Sequence, residues 1–141
     1  MSARARWMGT VACVALAASS VGARTLPAQA LTKIGATSAG TPVMLEAKSV
    51  KRDKGIITAT FRVGLEPPIK TAKGPMVSLR SIMMLDCAKQ TAATKERWFS
   101  YDAKGTKIAR HDVPGIPGFG PAIKGSLPDA ALQHFCTAGA K

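Results

Sequence analysis

The sequence lacks the residue patterns on which most enzyme and metal sites depend. It has only two histidines, His111 and His134, and no H-x-x-x-H, H-E-x-x-H or C-x-x-C spacing that would bring metal ligands together. It also has no G-x-S-x-G motif, and its closest glycine cluster, 115–120, lies among prolines rather than between a strand and a helix. We therefore predict a protein that is not an enzyme and that carries no cofactor or metal.

Long apolar runs are scarce, and the one present lies at the N-terminus. Residues 7–18 form an uncharged, mostly apolar run behind Arg4 and Arg6. This run is shorter than the roughly 20 residues that span a bilayer and is typical of a secretory signal peptide. Small residues allow cleavage after Ala23 or after Ala30, and an uncleaved anchor is the less fitting alternative. We predict a signal peptide over residues 1–30 and no transmembrane segment in the mature chain.

Acidic residues are few, eight against 20 lysines and arginines. Cleavage after Ala30 would leave a net charge of +9, which favours anionic partners such as glycans, lipid headgroups or acidic protein surfaces. Nucleic acid is excluded by the predicted export. Four cations lie within seven positions and form a tentative anion-binding patch: Lys48, Lys51, Arg52 and Lys54. The alternatives are a solvated hairpin end for the patch and simple solubility charge for the whole surface.

Cysteine is also rare, with three in the chain. Cys13 leaves with the signal peptide, and Cys87 and Cys136 remain as an even pair in an oxidising compartment. We predict a disulfide between them, which would contribute about 4 kcal/mol by restricting the unfolded chain. Two free redox thiols are the alternative, but the pair lacks the C-x-x-C spacing of such sites.

The remaining pattern predicts one α+β domain over residues 42–141, preceded by a mobile lead-in at 31–41. Apolar and polar residues alternate over 57–63 and over 77–87, as in strands with one face on a core. Residues 95–101 and 106–111 predict a hairpin around Asp102–Gly105. Prolines at 67 and 68 should end the first long strand, with a loop following at 70–75.

The C-terminal segment predicts a helix. Ser126 is a capping residue, and Pro128 and Asp129 suit the first turn. Cys136 then falls on the apolar side of the helix, where it can reach the strand that ends at Cys87. The predicted fold is a small antiparallel β-sheet with a C-terminal helix packed on one face and linked to it by a disulfide.

Several short motifs together resemble the surface-adhesin protein E family of small exported bacterial domains. They are the passage Ser49–Gly55 (SVKRDKG), the strand end Ser81–Cys87, the hairpin Tyr101–Gly105 (YDAKG), the helix start Lys124–Ser126 and the final Cys136. The resemblance implies an antiparallel sheet with a disulfide-bonded C-terminal helix. Named members of the family act as adhesins for host matrix proteins, but no binding residue can be matched to this sequence.

These observations lead to two functional hypotheses. The first is an exported, non-catalytic, adhesin-like binding module of the bacterial envelope or surface, whose partner is a host matrix protein or an anionic glycan or lipid surface. The alternative is a periplasmic structural or accessory protein that contacts anionic envelope components. The sequence does not indicate an oligomeric state, and it leaves open whether the protein ends in the periplasm or at the cell surface.

Overall fold

The computed structural model describes residues 30–116 and 118–137. The predicted signal peptide therefore lies outside the described residues, apart from its last position. The described strands are β1 Leu31–Ala36, β2 Pro42–Glu46, β3 Lys51–Asp53, β4 Ile56–Thr71, β5 Gly74–Asp86, β6 Thr91–Ser100, β7 Ile108–Asp112 and β8 Gly120–Pro121. One α-helix, α1 at Leu127–Leu132, continues into a π-helical turn at Gln133–Thr137.

The strands form one antiparallel sheet in the order β1-β2-β4-β5-β6-β7. The short strand β3 pairs with β4, and β8 pairs with β6. The β4–β5 and β5–β6 pairs are hairpins, whereas β2 pairs with β4, beyond the short strand β3 in sequence. Lys54 and Gly55 turn the β3–β4 hairpin with φ values of 48° and 79°, a conformation that favours glycine at the second position. This turn closes the Ser49–Gly55 passage.

One face of the sheet carries the core, and α1 covers it. Phe61, Met83 and Leu85 from the central strands are almost fully buried there with Ala131 and Leu132 of the helix. Alternation along each strand places these apolar side chains on a single face, as the sequence predicts. The α+β class and the helix on one face of an antiparallel sheet are confirmed.

The disulfide between Cys87 and Cys136 is also confirmed, with a Cα–Cα distance of 5.2 Å. It joins the residue after β5 to the turn after α1. The helix begins as predicted, because the Ser126 side chain accepts a hydrogen bond from the Asp129 backbone N–H. The staple and the cap together fix the helix against the core face.

The segment expected to be a mobile lead-in is different, since its first part is strand β1. Leu31–Ala36 pairs with Pro42–Glu46 through a turn in which Gly40 has a φ of 81°. A register shift between Lys33 and Gly35 interrupts the alternation, which hides the strand in the sequence. Ile34 packs against the core, and this contact stabilises the strand.

The prolines of β4 also act differently from the expectation. Pro67 and Pro68 do not end the strand, because a register shift between Gly64 and Ile69 accommodates them without ladder hydrogen bonds. Pairing resumes at Ile69 and runs to a tight turn before Gly74. The predicted loop at 70–75 is therefore the tip of a long hairpin.

None of the helices among the described residues combines the length and the apolar character needed to cross a membrane.

Candidate functional site

The sheet face opposite α1, which we call the open face, carries a row of large side chains. Cross-strand partners on antiparallel strands share a face, so the register aligns one residue from each of five neighbouring strands. These residues are Met44, Arg62, Arg80, Trp98 and His111. The fold thus gathers positions scattered over 68 residues of sequence into one line.

Glu46 anchors the centre of this row. Its side chain is almost fully buried, and its carboxylate accepts hydrogen bonds from Arg62 Nε at 2.8 Å and from Arg80 Nε at 2.7 Å. Arg80 Nη2 also donates to the second carboxylate oxygen at 3.0 Å, which makes the Arg80 contact bidentate. One carboxylate therefore holds two neighbouring guanidinium groups in fixed orientations.

The electrostatics of this cluster favour full ionisation. Burial raises the pKa of Glu46, but the hydrogen bonds from Arg80 and Arg62 and their positive charges outweigh it, so the pKa lies below the usual 4.5. The hydrogen bond to Glu46 likewise raises the pKa of Arg80. Two guanidiniums share a single carboxylate, so the cluster keeps one net positive charge at neutral pH.

Trp98 lies between Arg80 and His111, because β6 runs between β5 and β7. The Arg80 guanidinium carbon is 4.8 Å from the centre of the Trp98 ring, within the range of a cation–π contact. On the other side, the His111 ring stacks on Trp98 with 4.8 Å between centroids and an interplanar angle of 5°. His111 Nε2 lies 3.2 Å from a Glu96 carboxylate oxygen. Both faces of the indole are therefore occupied, which restricts its motion.

A half-open groove of about 420 Å³ runs over this row. Its size falls in the range of roughly 300–1,000 Å³ that is typical of ligand sites. Arg62 and Arg80 lie in the middle, and Lys104 from the β6–β7 turn stands at the rim. Apolar side chains lie at both ends, with Leu31, Pro42 and Met44 at one end and Trp98 and Ile108 at the other. We call these residues together the open-face groove.

The predicted anion-binding patch lies elsewhere and is divided by the sheet. Lys51 pairs with Thr58 and Arg52 with Ile57, so the two side chains project to opposite faces. Arg52 is on the helix side, with its guanidinium carbon 5.8 Å from the centre of the Phe135 ring. Lys48 lies in the short 3-10 turn Ala47–Ser49, and Lys54 in the hairpin turn. Strand alternation therefore separates cations that are adjacent in sequence.

The side chains of the open face can recognise a partner by charge and by apolar contact. Glu46 forms ion pairs with Arg62 and Arg80, and the Glu96 carboxylate lies beside His111. Across residues 30–116 and 118–137, no three His, Cys, Asp or Glu side chains converge as a metal ligand set would require. The groove instead offers guanidinium N–H donors between apolar walls, which suits an anionic ligand with apolar flanks.

Sequence reasoning missed this site, although part of its signal is visible. Arg62 and Arg80 occupy the polar positions of two alternating strands, where they belong to the face away from the core. Trp98 falls within the predicted hairpin as a large aromatic residue. The missing information was the register, because only the pairing of β4, β5 and β6 shows that these residues are direct neighbours.

A family comparison agrees with the motifs. The model of the family described as surface-adhesin protein E matches residues 31–137, which is most of the chain.

The chain belongs to the surface-adhesin protein E family.

The matched range includes β1 and ends with the turn that carries Cys136, so every element of the open face lies within the family domain.

Solved structures of Haemophilus influenzae protein E have a similar fold. Crystal form II of that protein matches with a TM-score of 0.56 at 15% sequence identity, covering 83% of this chain and 98% of the other. The selenomethionine form matches with a TM-score of 0.50 at 15% identity, covering 81% and 94%. No curated protein matches this adhesin-family chain by sequence. At such low identity these likenesses establish the fold, and the family assignment rests on the family model.

Proposed function

We propose that this adhesin-family chain is an exported, non-catalytic binding module of the bacterial envelope or surface, and that it contacts its partner through the open-face groove. One observation carries the proposal. Within residues 30–116 and 118–137, the sheet face opposite α1 is free of helices and holds two arginines fixed by the buried Glu46 beside Trp98. Such pre-organised Arg and Trp side chains are typical of the residues that dominate protein interfaces.

The rigidity of the cluster supports binding rather than catalysis. A general acid or base needs a pKa near the working pH, but the pKa of Glu46 is lowered and its carboxylate oxygens are already engaged. Holding the arginines in place before the partner arrives reduces the ordering cost of binding. The groove therefore suits recognition of an anionic partner.

The test is binding of the purified, oxidised protein to immobilised host matrix proteins, sulfated glycans and lipopolysaccharide over a salt series. The proposal predicts saturable binding to a matrix protein that persists at physiological salt. Weak binding to every polyanion that disappears with added salt would contradict it, because generic positive charge behaves in that way.

The alternative, a periplasmic accessory protein that contacts anionic envelope components, is favoured by the excess of lysine and arginine over acidic residues. Protease treatment of intact cells separates the two. A surface adhesin is digested, whereas a periplasmic protein is protected until the outer membrane is opened.

The cations at 48, 51, 52 and 54 are a secondary proposal for anion contact. Replacing Lys51, Arg52 and Lys54 together with alanine should weaken binding if this hairpin contributes. Unchanged affinity in a folded variant would exclude it. Arg52→Gln alone serves as a control for stability, since Arg52 packs near Phe135 on the helix face.

A further inference from the structure

The layout of the open-face groove points to a particular kind of partner segment. Its cations lie at the centre and its apolar side chains at both ends. A matching ligand must therefore carry an anionic group between two apolar groups. A lipid headgroup or a simple fatty acid places its charge at one end and does not match this order.

The spacing across the sheet is that of an extended polypeptide. Neighbouring strands are about 4.8 Å apart, so the midpoint between Arg62 on β4 and Arg80 on β5 lies about 7 Å from β2 and about 7 Å from β6. Met44 and Trp98 occupy those two strands in the same row. Alternate side chains of an extended chain lie on one face at about 6.6 Å intervals, which is nearly the same distance.

The two central arginines, Arg62 and Arg80, have guanidinium N–H groups that remain able to donate hydrogen bonds. Glu46 receives Arg62 Nε, Arg80 Nε and Arg80 Nη2, and Arg62 Nη1 donates to the Lys104 carbonyl at 3.4 Å. Within the described residues, Arg62 Nη2 and Arg80 Nη1 make no hydrogen bond to protein. Both side chains are about one-third exposed, at 31% and 34%. The two arginines keep one positive charge beyond Glu46, enough for one incoming carboxylate, and Lys104 lines the groove beside them.

We infer that the open-face groove binds an extended segment of a partner protein in which an aspartate or glutamate is flanked, two residues away on each side, by large apolar residues. The segment crosses the strands. Its carboxylate meets Arg62 and Arg80, one apolar side chain packs on Met44 beside Leu31, and the other packs on Trp98 beside Ile108. This inference rests on the proposed binding function and names the partner's chemistry.

Trp98 provides a direct readout. The sequence contains two tryptophans, and Trp7 lies in the predicted signal peptide, so the tryptophan fluorescence of the processed protein comes from Trp98. The probe is acetyl-Leu-Ser-Glu-Ser-Leu-amide, titrated beside versions with Gln or Lys at the centre and beside decanoate. We expect a saturable fluorescence change, with the Gln peptide binding about tenfold more weakly because it loses the charged hydrogen bonds.

Groove variants complete the test. Arg80→Gln could unfold the protein by leaving Glu46 unpaired, so the variants are Lys104→Gln and Ile108→Ser, both at exposed positions. Each variant should bind the Glu peptide at least threefold more weakly than the parent does. The melting temperature of each variant should be unchanged. Lys124→Gln is the matched control, because Lys124 is exposed in the turn before α1 and does not line the groove. It should bind the peptide as the parent does.

Three results would overturn the inference: equal binding of the Glu and Gln peptides, decanoate binding as tight as the peptide, or groove variants that bind like the control. Matrix-protein binding separates this failure from failure of the proposed function. If matrix binding persists while the peptide does not bind, the inferred partner segment is wrong and the proposed binding function stands. If neither binds, both proposals are wrong.

Discussion

Replacing Glu46 with glutamine should lower the free energy of unfolding by about 2 kcal/mol at neutral pH, because the variant loses charged hydrogen bonds worth roughly 1.5–3 kcal/mol each. Glu46 accepts three such bonds from Arg62 and Arg80. Glutamine keeps one acceptor oxygen, and both guanidiniums can recover part of their hydration since they are about one-third exposed. The expected loss is therefore well below the sum of the three bonds.

The pH dependence of the free energy of unfolding provides a second, independent test of the role of Glu46. The pKa of Glu46 is lowered in the folded state, so its contribution to stability is present above the unfolded value of 4.5 and disappears as the pH falls through the folded value. Parent and Glu46→Gln should therefore differ by a constant amount near neutral pH. The difference should shrink steadily below about pH 4.5, because the Glu46 carboxylate of the unfolded parent is protonated there before that of the folded parent.

Urea unfolding followed by circular dichroism measures both effects. Glu96→Gln is the control, because Glu96 also lies on the open face but pairs with the more exposed His111. The Glu96→Gln substitution should lower the free energy of unfolding by less than about 0.5 kcal/mol. Equal stability of parent and Glu46→Gln at neutral pH, or a difference that persists unchanged to about pH 3, would refute the assigned role of Glu46.

Three further predictions concern the scaffold. Changing Cys87 and Cys136 together to serine should cost about 4 kcal/mol, measured by urea unfolding, and a loss under 1 kcal/mol would show that the staple matters little. Gly125→Ala should lower the melting temperature by several degrees, since Gly125 has a φ of 78° and an added Cβ would lie 2.7 Å from Ser38 Cβ; an unchanged melting temperature would contradict this contact. Ser126→Ala should cost about 1 kcal/mol by loss of the helix cap, and Ser126→Thr, which keeps the hydroxyl, should recover most of it.

The features that were predicted correctly from the sequence are those that depend on a few neighbouring residues or on simple chemistry. The helix start at Ser126 is determined by a capping residue and its neighbours, and the pairing of Cys87 with Cys136 follows from a count of two. The strand over 57–63 is visible because its alternation is unbroken. Each of these depends on a few adjacent residues or on simple chemistry, so no knowledge of the register is needed.

The features that sequence missed depend on register or on its interruption. Strand β1 was hidden by a shift beside Gly35, and the hairpin through Pro67 and Pro68 by a shift after Gly64. The open-face cluster was hidden more completely, since Glu46 and Arg80 are 34 positions apart and meet only through strand pairing. The four cations from 48 to 54 are close in sequence, but strand alternation projects Lys51 and Arg52 to opposite faces of the sheet.

We propose the open face as the surface by which this adhesin-family protein binds its partner. The most direct test compares the dissociation constants of the parent, the double variant Lys104→Gln with Ile108→Ser, and the Lys124→Gln control on an immobilised matrix protein that the parent binds. We predict at least a tenfold loss of affinity for the double variant, with parent-like affinity for the control. Equal affinity of all three proteins, with the double variant folded, would contradict the claim.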